Sequence, residues 1–254
     1  VNPASDSVIS LRSLHKSFGS QKVMDGLSLE IPRGKITVII GRSGEGKSVL
    51  LKTMIGLLFP DEGKVWVEGV DFLDLSRSKQ NTMRQKFGML FQNAALFDSM
   101  NVFENVAFPL REHTHLEDEE IRSKVLDKLA RVGLKNVERK MPSELSGGMR
   151  KRVGLARALM LDPKIILYDE PTTGLDPILT DSIDNLILET QKGFGLTSVV
   201  VSHDIASTMK MADKVAMLYE GKILEEGPPE VFRGSRNPWI QNFLQGKADK
   251  DFIG

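Results

Sequence analysis

The sequence predicts an α/β fold in which a parallel sheet forms the core, an antiparallel sheet lies at its edge and a helical stretch interrupts it. Three observations carry that expectation. The first third of the chain alternates apolar and polar residues in strand-length runs. Ile36-Thr37-Val38-Ile39-Ile40 has no alternation, as in a strand covered on both faces, and the last third exchanges strand-like and helix-like segments in turn.

Taken in order, Val8 to Leu14, Leu27-Ser28-Leu29-Glu30-Ile31 and Val65-Trp66-Val67 read as strands of a small antiparallel sheet, the last following the turn pair Glu62-Gly63. Ile36 to Ile40 runs into a glycine-rich loop and then Ser48 to Ile55: a buried strand, a tight turn and a helix. From Asp118, the positions Ile121, Val125, Leu129 and Val132 keep one helical face, and Gly133 stops it. The acidic run Glu117 to Glu120 lies at that helix's start, where negative charge complements the macrodipole. It reads as a solvated helix end and not as a metal site, because nothing near it supplies further ligands. A second helix is expected over Ser146 to Met160.

Beyond it come a strand over Lys164 to Tyr168, a helix over Pro177 to Lys192, a strand over Ser198 to Val201, a helix from Ile205 and a strand over Val215 to Tyr219. The expectation is one domain over residues 1–254, with its core in about 8–92 and 162–233, a helical part in 93–161 and a tail in 234–254. In the tail, Trp239, Ile240, Phe243 and Leu244 share a helical face that would pack on the chain's own core or on a partner. Phe97, Met100, Val102 and Phe103 are an apolar set, equally suited to a core or to receiving a helix of a membrane partner.

Composition narrows the function classes. Lys plus Arg number 34 and Asp plus Glu 34, so the formal net charge is zero and nucleic-acid binding by bulk electrostatics is disfavoured. At 41% hydrophobic and 27% charged residues, neither a disordered nor a fibrous chain fits. The sequence has no cysteine, which removes disulfide frameworks, cysteine zinc modules, iron–sulfur clusters and thiol nucleophiles together. No apolar run reaches the roughly 18–20 residues of a membrane span. Val1 to Ser10 carries Asp6 and no basic start, unlike a signal peptide, so a reducing cytoplasm is expected.

Three motifs carry the chemistry. Gly41-Arg42-Ser43-Gly44-Glu45-Gly46-Lys47-Ser48 has the G-x-x-x-x-G-K-[ST] spacing between a strand and a helix. Such a loop wraps backbone N–H groups around phosphates, aims a helix start at them, and supplies Lys47 for the β- and γ-phosphates and the Ser48 hydroxyl for Mg²⁺. Ile165-Ile166-Leu167-Tyr168-Asp169-Glu170 is an apolar strand ending in two carboxylates: Asp169 to orient Mg²⁺ through its waters, Glu170 to polarise an attacking water. No guanine-recognition element is found, so ATP is the expected nucleotide. Third, Leu145-Ser146-Gly147-Gly148-Met149 opens a second anion-binding helix start far from the first. Two such starts make sense if two copies pair head to tail, each ATP lying between Gly41–Ser48 of one and Ser146–Gly148 of the other.

With these motifs in this order, the sequence resembles the nucleotide-binding subunits of ABC transporters over nearly its whole length. The resemblance implies a RecA-like P-loop core with an antiparallel β subdomain and a helical subdomain carrying the signature. It implies that Phe18, where the family more often has Tyr, stacks on adenine with Val23 beside it, that Gly41 to Val49 contact the phosphates, and that Gln92 is the Q-loop glutamine touching Mg²⁺ and the water. It also implies that Gly174-Leu175-Asp176 crosses a dimer interface, with Asp176 near the nucleotide, and that His203 contacts the γ-phosphate.

Met149 in place of the usual Gln, the run Arg150-Lys151-Arg152-Val153-Gly154-Leu155-Ala156-Arg157-Ala158, the stretch Phe87 to Met100 and the end Phe243 to Asp249 are similar to the ATPases of Mla/MCE lipid-transport systems. That similarity implies a pair of ATPases beneath permease subunits at the cytoplasmic face of the inner membrane. A periplasmic MCE-domain protein and a small cytoplasmic regulatory subunit would belong to the same complex, moving phospholipid between membranes and maintaining outer-membrane lipid asymmetry. Two alternatives stay open: a transporter ATPase serving another solute such as an amino acid, and a soluble ABC-type mechanoenzyme. The second is disfavoured by the missing coiled-coil insertion, second ATPase domain and basic excess.

Overall fold

The computed structural model describes residues 6–247, and the chain divides into two compact units, Val1–Leu73 with Val201–Gly254, and Asp74–Val200. The end of the tail motif, Ala248 and Asp249, lies outside the described residues, as does the start of the Val1 to Ser10 segment.

In the first unit, β1 (Ser7–Phe18), β2 (Gln21–Pro32), β4 (Glu62–Val67) and β5 (Val70–Asp71) form an antiparallel sheet ordered β2-β1-β4-β5. Leu11 sits opposite Leu29 on one side and Val65 on the other. The imperfect alternation of β1 has a local cause. Leu11 and Leu14 are three residues apart, a spacing that in a regular strand turns them to opposite faces. A bulge between them, with Ser13 at φ +46°, brings both inward, and both are fully buried.

The same unit holds β3 (Ile36–Ile40), parallel to β9 (Lys214–Tyr219), with β10 (Lys222–Gly227) antiparallel on β9's far side. Every residue of β3 is buried, as its unbroken apolar run requires. Among the described residues, four helices belong here: α1 (Lys47–Met54), α7 (Ile205–Met211), α8 (Pro229–Gly234) and α9 (Pro238–Leu244). In α9, Ile240 is fully buried and Trp239 lies against Tyr219, ring centroids 4.9 Å apart. Of the apolar tail face, Ile240 and Trp239 pack in this way, and Phe243 and Leu244 are half-buried.

In the second unit, β6 (Phe87–Leu90), β7 (Ile165–Asp169) and β8 (Thr197–Val201) are ordered β8-β7-β6, with β6 and β7 parallel and Leu90 opposite Tyr168. Around them lie α2 (Arg77–Arg84), α3 (Val102–His113), α4 (Asp118–Arg131), α5 (Gly147–Ala158) and α6 (Pro177–Phe194). Helix α4 starts and buries Ile121, Val125 and Leu129 as expected. Helix α3 falls within the part expected to be helical, 93–161, where the sequence alone gives it no bounds of its own. It takes in Val102 and Phe103 of the apolar set, with Phe97 and Met100 ahead of it, and it starts with a capping box in which the Asn101 side chain accepts from the Glu104 N–H and the Glu104 carboxylate accepts from the Asn101 N–H. The patch is thereby divided: Val102 is fully buried, whereas Phe97 is exposed and lies tilted against Phe108.

Candidate functional site

In the first unit, β3 ends at Ile40 and the loop Gly41–Gly46 delivers the chain to α1 at Lys47. Gly44 and Gly46 adopt φ +85° and +91°, conformations that side-chain-bearing residues rarely take. Gly46 is the N-cap of α1 and, having no side chain, makes no side-chain cap there. A helix start of this kind in a glycine cradle fits a phosphate. The Lys47 ammonium, only 5% exposed, donates to the carbonyls of Gly41 (2.9 Å) and Arg42 (2.7 Å). Ser48 and Val49 follow, half-buried, in the first turn.

Neighbouring strands fix this loop. A Cβ on Gly46 would lie 2.3 Å from Val23 Cγ1, so Val23 of β2 packs directly on the loop. Glu45 Oε2 accepts from the Glu220 N–H at 2.9 Å. The Ser202 N–H donates to the Ile39 carbonyl (3.2 Å), which sets His203, exposed, beside the strand end that opens into the loop. Phe18 ends β1 with 48% of its surface exposed and the Lys16 ammonium 5.6 Å from its ring centroid, an open aromatic face. The first unit thus brings together Val23, the loop and His203.

In the second unit, β7 carries Asp169, nearly buried, and ends at Glu170, whose φ is +47°. The Thr173 hydroxyl donates to Glu170 Oε2 at 2.8 Å and holds the carboxylate. One cleft of about 290 Å³ is lined by Gln92, Gly147, Lys151, Gly174 and Leu175, so the expected Q-loop, signature and Gly-Leu-Asp segments share a surface. Ser146 is the N-cap of α5, its hydroxyl accepting from the Met149 N–H at 3.3 Å. Asp176 caps α6, accepting from the N–H groups of Ile178 (2.9 Å) and Leu179 (3.0 Å).

Two side chains at this site escaped the sequence reading. Lys151, 5% exposed, donates to the Gln92 carbonyl and lies 3.5 Å from the Glu170 carbonyl oxygen. Burial pushes its pKa down, while the carboxylates of Asp169 and Glu170 push it back up. Arg157 donates from Nη1 to the Ala95 carbonyl and from Nη2 to the Ala94 carbonyl, both at 2.8 Å. A Lys and an Arg in a basic run ordinarily read as solvated. The signal that finds Lys151 is its phase: Gly148, Lys151 and Leu155 fall at i, i+3 and i+7, on the buried side of α5.

A glycine cradle at a helix start, with a buried lysine over it, and an apolar strand ending in paired carboxylates are the parts of a P-loop nucleotide hydrolase. The chain belongs to the ABC transporter family, whose model matches residues 24–173, and it is an ATP-binding cassette ATPase. It is 45% identical over 239 residues to the "Probable ribonucleotide transport ATP-binding protein mkl" of Mycobacterium leprae, covering 94% of this chain and 69% of that one. To the "Intermembrane phospholipid transport system ATP-binding protein MlaF" of Escherichia coli it is 43% identical over 242 residues, covering 95% and 90%. Among solved structures, CbiO1 of Clostridium perfringens, part of the ABC transporter complex CbiONQ, superposes with TM-score 0.83 at 31% identity, covering 94% of this chain and 99% of that one. A dimeric post-hydrolysis state of the cassette MJ0796 bound to ADP and Pi superposes with TM-score 0.79 at 31% identity, covering 87% and 98%. The expected α/β class, with its antiparallel and parallel sheets, is the observed one. Among the described residues no helix is long and apolar enough to cross a membrane.

Proposed function

We propose that the chain energises phospholipid transport between membranes as the ATPase of an Mla/MCE-type system. The observation that supports this most is the 43% identity to the MlaF phospholipid-transport protein, which extends over nine-tenths or more of both chains. The similarity to mkl, named a probable ribonucleotide transport ATP-binding protein, supports a second reading in which the same ATPase serves another solute.

In the proposed chemistry, the N–H groups of Gly41 to Val49 and the Lys47 ammonium bind the phosphates, and Phe18, beside Val23, stacks on the adenine. The loop's positive-φ glycines, with Gly46 at the N-cap of α1, support this assignment. Glu170 takes the proton of the attacking water, with Gln92 orienting that water and His203 contacting the γ-phosphate. Mg²⁺, when bound, neutralises charge developing on the phosphates. Ser48 and Gln92 offer hard oxygen donors that suit it, with Asp169 acting through its water shell. Among the described residues no three His, Cys, Asp or Glu side chains gather as a metal site.

Ser146, Gly147, Gly148 and Asp176 belong, in this proposal, to the face that meets the nucleotide of a second copy packed head to tail. The division into a core of about 8–92 and 162–233 and a helical arm of 93–161 is part of the same reading. Permease subunits, a periplasmic MCE-domain protein and a small cytoplasmic regulatory subunit are the proposed partners, at the cytoplasmic face of the inner membrane. Loss of the γ-phosphate would separate the paired copies and move the permease between its access states.

The test is purification of the Glu170→Gln chain with ATP from detergent-solubilised membranes, followed by mass spectrometry of proteins and lipids. An MCE-domain protein, a multi-span permease and bound phospholipid are expected. A permease for another solute would overturn the lipid assignment and leave the ATPase. Soluble or nucleic-acid partners alone would overturn the transport reading.

A further inference from the structure

The Gln92 and Glu170 main chains leave adjacent parallel strands. Gln92 lies two residues after β6, and Glu170 directly follows β7. Both departures are strained or near strain: Glu170 has φ +47°, and Ala94 and Ala95, just past Gln92, have φ +59° and +48°. Backbone of this kind keeps its shape only where its surroundings over-determine it. Between the two departures stands one cation. The Lys151 ammonium reaches from the buried side of α5, donates to the Gln92 carbonyl and stands 3.5 Å from the Glu170 carbonyl oxygen. Burial works against a positive charge here, lowering the Lys151 pKa, and the carboxylates of Asp169 and Glu170 offset that only in part. No other lysine of α5 is present to substitute for it, and its neighbours Arg150 and Arg152 are engaged elsewhere, with the Leu145 carbonyl (2.8 Å) and the Val132 carbonyl (2.6 Å).

We propose that Lys151 is a positioning residue for hydrolysis: by holding the main chains of Gln92 and Glu170 at one anchor, it sets the two side chains on a common water. The inference rests on the reading of Gln92 and Glu170 given above and adds the group that places them. Lys151 does not touch the nucleotide in this scheme. Its removal misplaces the groups that act on the water and leaves the phosphate cradle intact, because the cradle's contacts lie in the other unit.

The experiment is steady-state ATP hydrolysis by the full chain over a series of ATP concentrations, together with thermal melts. It compares the parent with Lys151→Met, Lys151→Arg and Glu170→Gln. Misplacement by about 1 Å costs on the order of 10²-fold in rate, so Lys151→Met is expected to lower kcat by about 10–100-fold with KM for ATP within about threefold. Lys151→Arg, which keeps a cation and its donors, is expected to recover kcat to within about threefold. The proposal is overturned if Lys151→Met keeps kcat within about twofold, if its loss falls on KM, or if Lys151→Arg is as slow as Lys151→Met. Should Lys151→Met show no cooperative melt, Lys151→Gln, with a neutral donor, takes its place under the same criteria. Glu170→Gln separates the two levels of the argument: if it hydrolyses ATP at the parent rate, the reading of Glu170 as base fails first, and the role of Lys151 with it.

Discussion

Val23 and Gly46 are in contact across the mouth of the phosphate loop: a single added carbon on Gly46 would lie 2.3 Å from Val23 Cγ1. That distance is far inside van der Waals contact, and the φ of +91° at Gly46 adds backbone strain for any side chain. Gly46→Ala is therefore expected to destabilise the chain by about 1–3 kcal/mol and to weaken ATP binding at least about tenfold. Adding Val23→Ala relieves the collision and leaves the backbone strain, so the double variant should recover part of the stability. Melts with and without ATP check both; a Gly46→Ala chain that melts and binds like the parent would refute this account of the loop.

Arg157 carries a second expectation. Its guanidinium bridges two neighbouring carbonyls, those of Ala94 and Ala95, on residues held at positive φ. Arg157→Met removes two charge-assisted hydrogen bonds from that turn and is expected to cost about 2–3 kcal/mol, or on the order of 5–10 °C in melting temperature. Arg157→Lys should recover little, because a point charge cannot reproduce a planar fork across two acceptors.

The end of β1 that presents Phe18 is tied by Asp61. Its carboxylate accepts from Lys16 Nζ at 2.6 Å and from the Ser17 N–H at 2.8 Å, and these contacts, Lys16 first, lower its pKa below the ordinary 3.8. Because the folded value is depressed, the stabilisation is fully present above 3.8 and is lost as pH falls through the folded value. The melting-temperature gap between the parent and Asp61→Asn should hold steady near neutral pH and close in acid below 3.8. It should also shrink in high salt, since the pair is at the surface. A gap that widened in acid would contradict the assignment.

Helix α9 gives a fourth. Ile240 is fully buried, so Ile240→Ala is expected to cost about 2–4 kcal/mol. Urea unfolding followed through Trp239, which lies on Tyr219, reports it directly. A cost below about 0.5 kcal/mol would mean the tail does not pack as described.

The elements that could be read from the sequence are those whose signal is local. The unbroken apolar run of β3, the four-residue rhythm of Ile121, Val125 and Leu129, and the glycines at 44 and 46 each state their structure within a few residues. Those that escaped lack such a signal. Strand β10, Lys-Ile-Leu-Glu-Glu-Gly, is a half-buried partner of β9 with weak alternation, and it forms because a turn at Glu220-Gly221 folds it back. Helix α3 contains Pro109, which argues against a helix locally, yet it is held by its capping box and by buried Asn105. The Asn105 amide donates to the carbonyls of Phe97, Met100 and Asn101 and closes the loop before it.

By itself, then, the sequence determined the order of the motifs, the covalent spacing that lets a loop wrap phosphate, and the family to which the chain belongs. Only the tertiary structure decided which charged side chains are buried and what they hold. Lys151 and Gln92 are 59 residues apart, and Arg157 and Ala94 are 63 apart. The physical reason is that a periodic pattern reports which face of an element is covered, whereas a buried cation is chosen by carbonyls and carboxylates that arrive from distant segments once the strands have paired.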